Sequence, residues 1–172
     1  MVSLSAKVCL LGDYAVGKTS LVRRFVYDMF DDRYLSTIGV KVSRKVVALA
    51  RGDEVVEITL MLWDLAGSEE FDSVRASYLR GAVGALICCD LTQRGTLATV
   101  PQYVSQMRAV NPAASFVLAA NKLDLTEQRA LSDDEVCAMA ADVDAACVFT
   151  SAKTGIGVDE SFRQLARLSA RG

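Results

Sequence analysis

The chain has 172 residues, a length that suits a single domain over residues 1–172 with a substantial hydrophobic core. Hydrophobic residues make up 52% of the chain and charged residues 23%, which excludes a disordered protein and predicts apolar strands that are buried on both faces. The net charge of −2, from 19 basic and 21 acidic residues, argues against a nucleic-acid partner and against a polybasic membrane-binding patch.

Apolar runs alternate with segments of helical periodicity, which predicts a βα alternation and a mostly parallel sheet. A turn at 51–54 joins the second and third strands as a hairpin, so one strand should be antiparallel. The predicted strands cover residues 7–11, 40–50, 55–64, 84–90, 116–121 and 147–149. The predicted helices cover residues 18–27, 71–80, 95–109, 133–143 and 158–169. Ser132 and Glu135 form a capping box ahead of the fourth helix.

The first strand is followed by Gly12-Asp13-Tyr14-Ala15-Val16-Gly17-Lys18-Thr19 and then by a helical segment. A strand, a glycine-bounded loop and a helix start in this order are typical of a phosphate-binding P-loop. Gly12 and Gly17 allow consecutive backbone N–H groups to point into one concave space. Lys18 would reach the β- and γ-phosphates, and the Thr19 hydroxyl would bind Mg²⁺. A glycine-rich turn without a ligand is the alternative interpretation.

Polar motifs also follow three later strands, and the carboxyl ends of parallel strands meet at one edge of a sheet. Asp64 ends the third strand, where its carboxylate would hold Mg²⁺ opposite Thr19, directly or through water. Gly67 lacks a side chain, so its N–H can approach a γ-phosphate closely. A strand-end aspartate before an ordinary turn is the alternative.

Asn121-Lys122-Leu123-Asp124, after the fifth strand, indicates that the nucleotide base is guanine. The Asp124 carboxylate can accept hydrogen bonds from the N1–H and the exocyclic amine of guanine, whereas adenine has no such pair of donors. The Lys122 stem can lie over the base, and the asparagine can tie this loop to the P-loop. Ser151-Ala152-Lys153, after the sixth strand, would direct the Ala152 N–H to the guanine O6. An ordinary strand exit is the alternative interpretation.

The five cysteines, at 9, 88, 89, 137 and 147, lie inside apolar runs and have no metal-ligand spacing. We therefore expect buried, reduced thiols in a cytoplasmic protein. The chain has no histidine, so any catalysis must depend on positioning and electrostatics. The sequence shows no signal-peptide layout, no apolar run of membrane-spanning length and no terminal prenylation box, so we expect no membrane anchor in this chain.

Five motifs follow one another along the chain: GxxxxGKT, Thr-Ile-Gly at 37–39, WDxAGxE from Trp63, NKxD from Asn121 and SAK from Ser151. Together they resemble the motifs of the Ras-like small GTPases, nearest the Rab branch, over essentially the whole chain. The resemblance implies a P-loop GTPase fold with six strands and five helices, GTP or GDP and Mg²⁺ as ligands, and a shape that changes with the γ-phosphate. It also implies a monomer whose effector and regulatory proteins bind switch regions at about 31–42 and 63–78. A lipidated tail, if one follows this chain, would place it at a membrane.

By position in that family, Thr37 would bind Mg²⁺ and the γ-phosphate, Phe30 would pack on the guanine, and Tyr34 would close over the phosphates. A core aromatic at a helix end is the alternative interpretation of Phe30. The expected nucleotide contacts are Asp13, Tyr14, Ala15, Val16, Gly17, Lys18, Thr19, Ser20, Phe30, Tyr34, Thr37, Gly67, Asn121, Lys122, Asp124, Leu125, Ser151, Ala152 and Lys153. The expected Mg²⁺ ligands are Thr19, Thr37 and Asp64. The expected catalytic residues are Lys18, Thr37, Gly67 and Ser68.

Two residues depart from the family at the catalytic centre. Ser68 stands where a glutamine usually orients the attacking water, and Tyr14 stands where a small residue leaves room for an arginine finger. Both departures predict slow hydrolysis and a poor response to a finger-type activator. One alternative is that another side chain, Tyr14, Glu69 or Arg33, takes the catalytic role. A second alternative is that the protein is a GTP-binding effector module with little hydrolysis. A third, an ATP-using P-loop enzyme, is disfavoured by Asp124.

A third departure affects partner recognition. Rab-like partners would bind an aromatic surface that includes Trp63 and Tyr78, but its third member is Val42 where Rab proteins usually carry phenylalanine. The sequence therefore argues against recognition by ordinary Rab effectors.

Overall fold

A six-stranded β-sheet is the centre of the computed structural model, which describes residues 2–31, 39–65 and 72–171. The strands are β1 Val2–Leu11, β2 Val40–Arg51, β3 Glu54–Leu65, β4 Ala82–Asp90, β5 Ser115–Asn121 and β6 Ala146–Phe149. The α-helices of the described residues are α1 Lys18–Tyr27, α2 Asp72–Leu79, α3 Gly95–Ala98, α4 Val100–Val110, α5 Asp133–Asp142 and α6 Val158–Ser169. A short 3₁₀ turn covers Thr126–Gln128.

The strand order is β2-β3-β1-β4-β5-β6, and only the β2–β3 pair is antiparallel. The predicted mostly parallel sheet with one antiparallel strand is confirmed. Consecutive residues of a strand face opposite sides, so the apolar run in β1 supplies both halves of the core. Val8 and Leu10 join the side covered by α1 and α6, where Phe25 and Phe162 stack with centroids 4.2 Å apart. Cys9 belongs to the side covered by α3, α4 and α5.

Most boundaries lie within one or two residues of the predicted ones, and two elements differ by more. Strand β1 begins at Val2 rather than at residue 7, because its first residues pair with β3 from Val56 onward although several of them are exposed. The predicted helix at 95–109 is divided at Thr99 into α3 and α4. Pro101 explains the division, since it has no N–H to donate to the carbonyl of Leu97 four residues earlier.

The prediction that all five cysteines are buried was wrong for two of them. Cys9, Cys88 and Cys89 are buried, but Cys147 is half-buried and Cys137 is exposed. All five are free thiols. Cys137 lies one residue after Val136, which takes the core-facing position of α5, so the helical turn directs the neighbouring cysteine outward. Among the described residues, no helix is both long and apolar enough to cross a membrane.

The capping box at the start of α5 gives a stability prediction. The Ser132 hydroxyl accepts a hydrogen bond from the Glu135 N–H at 3.1 Å. Ser132→Ala removes this acceptor and should lower the free energy of unfolding by about 1 kcal/mol in chemical denaturation. Ser105→Ala, on an exposed position of α4, is the matched control and should leave stability unchanged or raise it slightly. Equal effects of the two substitutions would contradict the capping role.

Candidate functional site

The carboxyl ends of five strands, β1, β3, β4, β5 and β6, lie at one edge of the sheet. Leu10 pairs with Asp64, so the loop that leaves β1 lies beside the end of β3. On the other side, Asp90 pairs with Asn121 and Ala120 pairs with Phe149, which aligns the ends of β4, β5 and β6. The register of the sheet therefore places the predicted motifs next to one another, as expected for the ligand edge of an open α/β sheet.

The P-loop takes a backbone conformation that only glycine fits at two positions. Gly12 has φ +145° and Gly17 has φ +104°, both in the region that disfavours side chains. A Cβ at Gly12 would lie 2.4 Å from the Cys88 carbonyl oxygen, and a Cβ at Gly17 would lie 2.3 Å from Asn121 Nδ2. The loop is thus packed closely on β4 and β5, and its backbone forms a concave cradle ahead of α1.

Lys18 lies at the start of α1 with its ammonium group inside this cradle. The side chain is buried, and Nζ donates to the carbonyl oxygens of Gly12 at 2.6 Å and Asp13 at 3.0 Å. Burial lowers the pKa of Lys18 because the charged form loses hydration. Among the described residues, the hydrogen-bond partners of this buried ammonium group are neutral carbonyls, with the Asp64 carboxylate nearby, so a further anion would be favourable here.

Thr19 and Asp64 form an oxygen-rich pair beside Lys18. The Thr19 hydroxyl donates to Asp64 Oδ2 at 2.5 Å, and Asp64 is only 2% exposed. The other carboxylate oxygen, Oδ1, is buried and accepts no hydrogen bond from the residues that the structure describes. Burial raises the pKa of the Asp64 carboxyl group. A hydroxyl and an unsatisfied carboxylate oxygen are ligands of the type that Mg²⁺ prefers, so these residues fit that ion.

Asn121 joins the P-loop to the loop after β6. Its Nδ2 donates to the Val16 carbonyl at 3.0 Å, which is the tie to the P-loop that the sequence predicts. Its Oδ1 accepts from the Thr150 hydroxyl at 3.1 Å and from the Ala152 N–H at 3.3 Å. The Ala152 N–H, predicted to reach a guanine O6, therefore donates to Asn121 in this structure.

The Asp124 carboxylate is fixed by the same pair of loops. The buried Ser151 hydroxyl donates to Asp124 Oδ1 at 2.8 Å. Leu125 continues this turn, with its N–H 3.1 Å from the Lys122 carbonyl oxygen. Arg24 of α1 donates to the carbonyl oxygens of Ala152 at 2.8 Å and of Lys153 at 2.6 Å, a contact that sequence reasoning missed.

Asp90 is a second residue that sequence reasoning missed. It is 3% exposed at the end of β4 and forms an ion pair of 2.9 Å with Lys122 Nζ, which also donates to the Ala15 carbonyl at 3.0 Å. The Lys122 stem is thereby stretched along the site. A charged residue at the end of the apolar β4 run was the available signal, because it occupies the same strand-end position as Asp64 and Asn121.

Comparison with known proteins identifies the family. The model of the Ras family matches residues 7–171. The chain belongs to the Ras family of small GTPases. It is 38% identical to the GTP-binding protein ypt5 of Schizosaccharomyces pombe over 169 residues, which are 97% of this chain and 79% of that protein.

Two further relatives are Rab proteins. The chain is 38% identical to Ras-related protein Rab-22A of Mus musculus and 36% identical to Ras-related protein Rab-31 of Homo sapiens. Each match covers 162 residues, which are 94% of this chain and 81% of the relative. The predicted resemblance to the Rab branch is confirmed. Ras and Rab proteins are GTPases that bind GTP and GDP.

Several residues expected to act in a Ras-family protein lie outside the described residues: Arg33, Tyr34, Thr37, Gly67, Ser68 and Glu69. Among the described ones, Tyr14 is 57% exposed on the P-loop. It borders a cavity of about 500 Å³ that Gln93, Thr96 and Lys122 also line. Phe30 is half-buried and packs against the core on the α1 side, as the alternative interpretation of this residue predicts.

The aromatic surface expected in a Rab-like protein is present in altered form. The rings of Trp63 and Tyr78 lie 6.3 Å apart, and Val42 pairs with Trp63 across the β2–β3 ladder. Val42 is 48% exposed, so a small branched side chain takes the third position of this surface. Lys7 Nζ lies 3.7 Å from the Trp63 ring centroid and adds a positive charge there.

The close approach of Gly17 to Asn121 gives a matched pair of substitutions. Gly17→Ala should lower the free energy of unfolding by about 2 kcal/mol or more, because a side chain is strained at this φ and displaces the Asn121 amide. Gly95→Ala should be neutral or slightly stabilising, since a Cβ there meets no atom within 4 Å and lies in a helix. Chemical denaturation of both variants in one buffer measures the difference, and equal stabilities would show that the contact is unimportant.

Proposed function

We propose that this chain is a guanine-nucleotide switch that binds GTP or GDP with Mg²⁺ and hydrolyses GTP slowly. The observation that supports it most strongly is that hydrogen bonds from Asn121 and Lys122 connect the P-loop to the loop that carries Asp124. Phosphate-binding and base-reading groups are thereby held at a fixed spacing. Fixed spacing between the two ends of a nucleotide is what pre-organised recognition requires.

The phosphate end would be bound by Lys18 and by backbone N–H groups of residues 13–20. Phosphate oxygens accept hydrogen bonds more strongly than the carbonyls of Gly12 and Asp13, because they carry a charge. The ammonium group would therefore turn from those carbonyls to the phosphates. An anion beside the buried lysine favours its charged form and so opposes the lowering of its pKa by burial.

Thr19 and Asp64, together with Thr37 by family position, would hold Mg²⁺. The ion supplies charge neutralisation at the β- and γ-phosphate oxygens. Asp64 would hold the ion through a carboxylate oxygen, directly or through water, and Thr19 would hold it through its hydroxyl. Thr37 and Gly67 would sense the γ-phosphate, so their loops would be ordered in the GTP form and released after hydrolysis.

Guanine would be read by Asp124, whose carboxylate is oriented by Ser151. Two charge-assisted bonds to the N1–H and the exocyclic amine give specificity, since an adenine base would leave the carboxylate without these donors. The Lys122 stem, held at both ends, would form one wall of the base pocket. The opposite wall would come from the Phe30 ring, whose exposed part remains available above the core.

Hydrolysis would depend on residues that differ from the usual family pattern. Ser68 has a shorter arm than glutamine and would not reach the water that attacks the γ-phosphate. Tyr14 presents an exposed phenol at the P-loop, where it would obstruct an arginine finger from an activating protein. The exposure of Tyr14 also favours a second candidate function, a GTP-binding module that signals through effectors with little hydrolysis.

Effector and regulatory proteins would bind the switch regions at about 31–42 and 63–78. The surface formed by Val42, Trp63 and Tyr78 supports this proposal because it is contiguous across two strands and α2. With valine in place of an aromatic ring and Lys7 over Trp63, it would favour partners other than ordinary Rab effectors.

Base specificity is tested by titrating the nucleotide-free protein with GDP and ADP in the presence of Mg²⁺. We expect tight GDP binding, with ADP weaker by about tenfold or more, because the Asp124 carboxylate would lose charged hydrogen bonds. Asp124→Asn should weaken GDP binding by a similar factor. Asp142→Asn, on an exposed position of α5, is the matched control and should leave it unchanged. Equal affinity for ADP and GDP would refute the proposed function.

Hydrolysis is tested by single-turnover measurements on the parent protein, Ser68→Gln and Tyr14→Gly. The parent rate should not exceed the Ras value of about 4 × 10⁻⁴ s⁻¹. Ser68→Gln should raise it by about tenfold, because a glutamine amide can orient the attacking water. Tyr14→Gly should mainly restore the response to a protein that supplies an arginine finger. A parent rate above the Ras value, or no gain from either substitution, would show that another group positions the water.

A further inference from the structure

A partly buried polar link connects the P-loop to α2 by way of α4. On the P-loop side, the Asp13 carboxylate accepts two hydrogen bonds from the α3–α4 region. The Tyr103 hydroxyl donates to Oδ1 at 2.7 Å, and the Thr99 hydroxyl donates to Oδ2 at 2.9 Å. Bonds between a hydroxyl and a carboxylate are among the stronger protein hydrogen bonds, so the side chain of Asp13 is firmly held.

On the α2 side, Arg75 lies against the same tyrosine. Its guanidinium carbon is 5.3 Å from the centroid of the Tyr103 ring, and Nη1 donates to Gln106 Oε1 at 3.1 Å. Arg75 is 5% exposed and Tyr103 is 7% exposed. Arginine is rarely buried to this extent without partners, and a cation–π contact is stronger when both groups are desolvated.

Tyr103 thus lies between opposite charges, with the guanidinium at its ring and the carboxylate at its hydroxyl. A positive charge over the ring draws electron density from the phenol, which strengthens the bond that its O–H donates to Asp13. The two contacts should therefore support each other. If Arg75 moved away with α2, the hydroxyl would be a weaker donor and the ring would be less firmly fixed.

The movement would reach the phosphate-binding groups through Asp13. Its carbonyl oxygen accepts from Lys18 Nζ at 3.0 Å, while its side chain is bonded to α4. Asp13 therefore carries the outer attachment of the loop whose backbone N–H groups, from residue 13 onward, are proposed to bind the phosphates. Loosening the attachment would shift the loop backbone that the proposed function assigns to the phosphates.

We propose that Tyr103 is a positioning residue that couples α2 to the P-loop, so that displacement of α2 loosens the P-loop and speeds the release of bound nucleotide. This inference rests on the proposed nucleotide site. It adds a route by which a regulatory protein that binds α2 would act on the phosphates without contacting them. The coupling is a free energy shared by two sites and can be measured as non-additivity.

The experiment measures the release rate of a fluorescent GDP analogue from the Mg²⁺-loaded full chain. Tyr103→Phe keeps the ring under Arg75 but removes the hydroxyl, and should speed release by about tenfold, since a bond to a charged acceptor is lost. Arg75→Met should speed release by about threefold, because only part of the energy of the buried cation–π contact would be transmitted to the P-loop. In the Tyr103→Phe background, Arg75→Met should have no further effect, because the hydroxyl that joins the ring beside Arg75 to Asp13 is already absent.

Control variants separate coupling from general destabilisation. Arg108, also on α4, lies 5.2 Å from the Phe116 ring centroid and donates to the Val143 carbonyl, so Arg108→Met removes the same type of contact away from the P-loop. It should leave the release rate unchanged at a comparable loss of thermal stability. Arg75→Lys keeps a cation, so its release rate should lie between those of the parent and of Arg75→Met. If Arg75→Met does not fold, Gln106→Leu loosens Arg75 from its other side and should follow the same pattern.

The outcomes distinguish this inference from the proposed function. Three results would overturn the coupling while leaving nucleotide binding intact. They are a release rate in the double variant equal to the product of the two single effects, an unchanged release rate in Tyr103→Phe, and equal acceleration by Arg108→Met. Failure of the parent chain to bind the GDP analogue would overturn both. An increase in Tyr103→Phe that masks the effect of Arg75→Met, with Arg108→Met silent, would establish Tyr103 as the coupling residue.

Discussion

The buried amide of Asn121 is the interaction on which the site depends. Its three hydrogen bonds reach the P-loop and the loop after β6 from a position that is 2% exposed. In such a site an unmet donor or acceptor costs about 1–3 kcal/mol, so separating any of these loops is unfavourable. Gly17 permits the arrangement because it has no Cβ at the point where the amide approaches the backbone. Loops from three different parts of the sequence therefore behave as one rigid unit, and the loop conformations follow from this constraint more than from their own preferences.

Sequence reasoning succeeded where the signal was local. The apolar runs predicted all six strands, the glycine positions predicted the P-loop conformation, and the Ser132 capping box marked the start of α5. It failed where distant residues decide the outcome. The Tyr103–Asp13 bond joins residues 90 positions apart, and the Asp90–Lys122 ion pair depends on the register of two neighbouring strands. Such partners have no pattern of their own in a single sequence, because they arise from tertiary packing.

Two residues of opposite charge, Lys18 and Asp64, are buried at this edge, although charged side chains are rarely buried to this extent. Lys18 donates to carbonyl oxygens and lies near Asp64, and one oxygen of that carboxylate accepts no hydrogen bond from a described residue. Burial lowers the pKa of Lys18 and raises the pKa of Asp64, so it favours the neutral form of each side chain. Keeping both groups charged therefore lowers the stability of the folded protein. Local rules are broken mainly at functional sites, where a ligand offsets the cost. A phosphate anion with Mg²⁺ would offset both at once, so the folded chain is pre-organised for a ligand that carries charges of both signs.

On the proposed function, binding and hydrolysis are controlled by different residues. The groups proposed to bind the nucleotide are held by β-strands and by hydrogen bonds between loops, whereas the two departures from the family pattern, Tyr14 and Ser68, concern the proposed hydrolysis step. The chain can therefore keep tight binding while hydrolysis is slow. When hydrolysis is slow, the lifetime of the GTP state is set increasingly by nucleotide release. The proposed link from Arg75 through Tyr103 to Asp13 would control this release step. A regulator that acts on α2 would then set the lifetime of the GTP state, which hydrolysis sets in family members that carry the glutamine.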